Sequence, residues 1–76
     1  MDKEILSNSI RKHRFEKDEC SQETLANAVG VTRQTIHSIE KGKFVPSALL
    51  ALRICRYFGK DFEEVFFIGK RIKNHV

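Results

Sequence analysis

Two short helical signals between Ser21 and Glu40 are separated by almost nothing, and that spacing constrains the fold more than any other feature. Ser21 precedes Gln22, Glu23 and Thr24 as an N-cap, where its hydroxyl accepts from free amides and Glu23 suits the positive end of the dipole. Gly30 stops that helix, since glycine enters the left-handed cap conformation without a Cβ penalty. Only Val31 then separates it from Thr32, a second N-cap opening a helix from Arg33 to about Lys41, which Gly42 ends. So short a connection forces two helices to cross steeply. The apolar pattern agrees: Leu25, Val29, Ile36 and Ile39 turn inward, small Ala26 sits at the close approach, and Val31 plugs the corner. Arg33, Gln34, His37 and Ser38 are left pointing outward. The stretch is a helix-turn-helix.

The same punctuation organises the rest of the 76 residues. Ser9 is placed to cap a first helix carrying Ile10, His13, Arg14 and Lys17, which fades at Lys17-Asp18-Glu19. After the loop Lys43-Phe44-Val45-Pro46, Ser47 caps a fourth helix running to about Phe58, closed by Gly59. Asp61 and Glu64 form an acidic capping box at the start of a short fifth helix. The fold class is therefore all-α with five helices, in a single domain 1–76 with its core in 8–68. Val65-Phe66-Phe67-Ile68 is aromatic and β-branched, and Lys3-Glu4-Ile5-Leu6 is the segment that could pair with it. A two-stranded ribbon joining the termini and an unpaired end stand as alternatives, and residues 69–76 are read as a flexible tail.

Charge and chemistry narrow the function. Residues 31–60 hold Arg33, Lys41, Lys43, Arg53, Arg56 and Lys60 against Glu40 alone, whereas the flanking segments are close to neutral. Such a block is the electrostatic footprint of a chain that meets phosphates. The short run Arg11-Lys12-His13-Arg14 lies outside it and reads as a solvated helix face. Cys20 and Cys55 form no Cys-x-x-Cys pair, and His13, His37 and His75 complete no zinc spacing with them, so both read as reduced, core-filling thiols and no metal or cofactor is expected. No secretory signal or membrane span is visible, and a cytoplasmic location is the expectation. There is no carboxylate pair, nucleophile–base set or glycine-rich phosphate loop, and an enzyme is not expected.

Outward-facing Arg, Gln, His and Ser donate and accept toward base edges, unlike the alternating Glu/Lys pairs of a merely solvated helix. Double-stranded DNA is thus the expected partner. Arg33 and Gln34, in the first turn of the second motif helix, are the expected base-reading residues, with Ser38 and His37 secondary. Gln22, Thr32 and Thr35 stand near helix starts where phosphate oxygens bind, and Lys41 and Lys43 reach the flanking backbone. Leu49, Leu52, Phe62, Phe66, Phe67 and Ile68 are more apolar surface than so small a core needs, which points to a homodimer reading an inverted repeat.

The chain resembles the Cro/phage-repressor class of helix-turn-helix regulators, also called the xenobiotic-response-element family. Ser21-Gln22-Glu23-Thr24-Leu25-Ala26, Val29-Gly30-Val31-Thr32-Arg33-Gln34-Thr35-Ile36, Ile39-Glu40-Lys41-Gly42-Lys43, Pro46-Ser47 and Leu50-Ala51-Leu52-Arg53-Ile54 carry the resemblance, over roughly residues 8–68. It departs at His13, where the class usually has an aliphatic residue, and at Asp18-Glu19, where the loop is one residue longer. The resemblance implies a five-helix, lambda-repressor-like domain, base reading at the positions already named, and a buried structural pair between Arg14 and Glu40. It also implies a transcription regulator, with repression by occlusion the default where no small-molecule effector site is evident. The competing function is an antitoxin or interaction module whose free apolar C-terminal strand masks a partner protein.

Overall fold

Three hydroxyl caps set the middle of the molecule. Ser21 Oγ accepts from Thr24 N at 3.0 Å, Thr32 Oγ1 from Thr35 N at 3.2 Å and Ser47 Oγ from Leu50 N at 3.1 Å. In the computed structural model, which describes residues 4–70, the elements in chain order are β1 (Glu4–Asn8), α1 (Ile10–Glu16), α2 (Gln22–Val29), α3 (Arg33–Glu40), α4 (Ala48–Phe58), α5 (Phe62–Val65) and β2 (Phe66–Lys70). Gly30 ends α2 at φ 82°, a conformation in which any Cβ is strained. Asp61 and Glu64 close the capping box of α5, with Asp61 N–H donating to Glu64 Oε1 at 2.8 Å. No helix among the described residues is long and apolar enough to cross a membrane.

The ribbon between the chain ends is formed. β1 and β2 pair antiparallel with Ile5 opposite Gly69, Leu6 opposite Ile68 and Asn8 opposite Phe66. Gly69 and Lys70 therefore belong to a strand and not to the expected tail, of which 71–76 lie outside the described residues. A Cβ at Gly69 would run into the Ser7 hydroxyl, so a larger residue there would make Ser7 turn aside. The strand that was to be the free masking arm of an antitoxin is thus paired along its length with β1.

Ile10, Leu25, Ile36, Ile39, Ile54, Val65 and Phe66 make the buried centre, with Ala26, Val29, Leu50 and Ala51 around them. Each large side chain so buried stabilises by about 1.5–3 kcal/mol. Phe66 is 1% exposed, which corrects its assignment to a dimer surface. Its ring stacks on Phe62 at 5.3 Å and completes the core of a single chain, while its neighbour Phe67 points to solvent. Cys20 and Cys55 are free and buried. Burial pushes the Cys55 thiol above its ordinary range, and a hydrogen bond with Cys20, then burial, raises the Tyr57 hydroxyl.

Helix α1 departs from expectation at its cap. Asn8 Oδ1 accepts from Ile10 N at 3.2 Å, while the Ser9 hydroxyl donates to Glu64 O at 2.8 Å and caps nothing. His13 is buried, its ring 5.6 Å from Phe58 and its Nε2 3.1 Å from Glu64 O, so α1 keeps its phase and the core accommodates an imidazole. The long α1–α2 loop places Asp18 and Glu19 at φ 54° and 51°, two consecutive left-handed residues that spend conformational energy on the extra length.

Candidate nucleic-acid interface

The orientation of α3 is fixed by Ile36 and Ile39, both buried against the remaining helices. At 3.6 residues per turn this turns Gln34 directly outward, with His37 and Ser38 on either side of it. Arg33 and Gln34 are exposed, and His37 and Ser38 are half-buried. The Thr32 and Thr35 hydroxyls lie 3.1 Å apart at the start of the helix, one fully at the surface and the other partly covered.

On the side of α3 that faces α1 and α2 lies a cleft of about 640 Å³. Arg14 and Glu40 sit deep in its wall, 15% and 10% exposed. Arg14 Nε donates to Glu40 Oε2 at 2.7 Å and its Nη2 to Oε1 at 3.1 Å, a bidentate pair, while Nη1 donates to Cys20 O at 2.9 Å. Gln22 Nε2 donates to the same Glu40 Oε1 at 3.2 Å, and Asn8 Nδ2 to Ile39 O at 3.0 Å. Glu40 is thereby neutralised inside the fold. Arg11, Arg33 and Lys41 then line a cleft whose surplus charge is positive, the geometry that concentrates field on an anion.

Across the helix the surroundings change. Gln34, Thr35 and Ser38 border a notch of about 230 Å³ completed by Lys43 and Phe44 from the loop before α4. Among the described hydrogen bonds, none holds the Gln34, Ser38 or Lys43 side chains.

The structure brings Arg33, Gln34, His37 and Ser38 onto one open surface, with Lys41 and Lys43 at its far end. Gln22 lies beside them with its amide directed at Glu40. Leu49, Leu52, Phe62, Phe67 and Ile68 are exposed on α4, α5 and β2. Arg11 is the residue that reasoning from sequence passed over. It precedes Arg14 by three positions, so whatever turns Arg14 toward α3 turns Arg11 to the same side. The signal was the spacing from the paired arginine, masked by the appearance of Arg11-Lys12-His13-Arg14 as one solvated run.

Comparison with known proteins agrees with this geometry. The helix-turn-helix family model matches residues 12–65. An uncharacterised HTH-type transcriptional regulator of Methanothermobacter thermautotrophicus is 52% identical over 59 residues, covering 78% of this chain and 84% of the relative. The uncharacterised HTH-type regulator YgzD of Bacillus subtilis is 58% identical over 48 residues, covering 63% of this chain and 73% of the relative. The crystal structure of the transcriptional regulator VanUg superposes with a TM-score of 0.74 at 26% identity, covering 90% of this chain and 89% of VanUg. With the tight corner at Gly30, the open face of α3 and these relatives together, the chain belongs to the helix-turn-helix family, among the small DNA-binding transcriptional regulators of the Cro/phage-repressor type.

Proposed function

We propose that the protein binds an inverted-repeat operator as a homodimer, inserts α3 into the major groove of each half-site, and represses by occluding the promoter. The observation that carries this reading is the exposure of Arg33 and Gln34 on the first turn of a helix flanked by cationic side chains. Arg33 matches O6 and N7 of guanine and Gln34 matches N6 and N7 of adenine, with Ser38 and His37 as secondary contacts. Gln22, Thr32, Thr35, Lys41, Lys43 and Arg11 hold phosphates on both sides of the groove. The second N–H of the Gln22 amide and the free backbone amides at the starts of α2 and α3 suit this task.

Exposed Leu49, Leu52, Phe62, Phe67 and Ile68 support pairing about a two-fold axis, which would set two copies of α3 about 34 Å apart. Selection of bound duplexes from a random pool tests the reading. A palindromic consensus with half-sites one helical turn apart is the expected result, and no enrichment, or an asymmetric site bound by a monomer in sedimentation, overturns it.

A further inference from the structure

We propose that the notch between α3 and the following loop receives the 5-methyl group of a thymine, which makes Phe44 a specificity-determining residue. The inference rests on the DNA-binding reading above and adds to it one base and one chemical group. Phe44 is 48% exposed. Its companions in the notch are Gln34, Thr35, Ser38 and Lys43, so the ring is set among polar and cationic groups.

The base edges of the major groove offer hydrogen-bond donors, hydrogen-bond acceptors and a single apolar group, the thymine methyl. Gln34 and Ser38 serve the donors and acceptors, and Lys43 serves the phosphates. The phenyl ring matches only the methyl. Thr35, which also carries a methyl group, lines the same notch. A second protein chain is a poorer occupant, because covering this notch would bury the Lys43 ammonium and the Gln34 amide against apolar surface.

The test uses the full chain and the duplex obtained by selection, with each thymine replaced in turn by deoxyuridine, which deletes the methyl and nothing else. Wild-type binding should fall about fourfold at one thymine of each half-site, the effect of one buried methyl group. Phe44→Ala should bind the thymine duplex as weakly as the wild type binds the deoxyuridine duplex, and should no longer distinguish the two. Its urea midpoint should match the wild type. Enrichment of a site with no methyl-sensitive thymine overturns the inference alone. So does a Phe44→Ala variant that still distinguishes thymine from deoxyuridine, or one that weakens every sequence equally, as a sugar contact would. Failure of the wild type to enrich any duplex overturns both this inference and the reading beneath it.

Discussion

The two sides of α3 are built differently. Toward α1 and α2, Glu40 takes hydrogen bonds from Arg14 and Gln22, and Ile39 O takes one from Asn8, so four elements meet in one fastened network. Toward the α4 loop, Gln34, Ser38, Lys43 and Phe44 border an open notch. The fastened side holds the helix at a fixed angle and depth. The open side leaves side chains able to test a partner. Fixing the backbone on one side is what gives the freedom on the other its meaning, since a base contact discriminates only if the helix carrying it does not shift.

The strongest challenge to this division is Glu40→Ala. Arg14 would keep its charge in a nearly closed wall, at a cost of about 3–5 kcal/mol. A large drop in the urea midpoint is expected. Replacing both partners with leucine should recover most of it, because an apolar pair of similar volume needs no compensation. If Glu40→Ala melts like the wild type, the network does not fasten the helix.

Gln34→Ala probes the opposite side. Stability should stay within about 0.5 kcal/mol, since the side chain is exposed. Affinity should fall by about 1–3 kcal/mol with discrimination relaxed at one base pair. Equal weakening on every duplex in a binding titration would move Gln34 to the phosphate contacts. Thr32→Ala should lie between the two variants. It removes the cap that both sides share and should lower stability by about 1 kcal/mol, with Thr32→Ser restoring it.

Residues of the two kinds were not equally legible in the sequence. Caps and stops are local chemistry, so Ser21, Gly30, Thr32, Ser47 and Gly59 could be placed without any tertiary knowledge. The outward face of α3 followed from the phase of Ile36 and Ile39. Phe66 and Phe67 could not be told apart, because their phase depends on where α5 gives way to β2, and at that point Ser9, distant in sequence, donates to Glu64 O and Val65 O. Ser9 stands at the N-cap of α1 without a capping bond for a similar reason: its hydroxyl is drawn to Glu64 O, fifty-five positions away, and Asn8 Oδ1 takes Ile10 N instead. Arg11 became visible only once the direction of Arg14 was known.

The finest test of the division compares Arg11→Met with Lys43→Met, one cation from each side of α3. Each is exposed, so neither should alter the urea midpoint beyond about 0.5 kcal/mol. If both hold phosphates, each variant should bind all sequences more weakly and reduce the slope of log affinity against log salt by about one. The double variant should reduce it by about two, because Arg11 and Lys43 would meet phosphates on opposite sides of one groove and their counterion losses add. A Lys43→Met variant whose selected consensus changes, with an unaltered salt slope, would make the open side wholly a base-reading surface. An Arg11→Met variant with an unaltered slope would close the cleft to DNA and leave its network with a structural task alone.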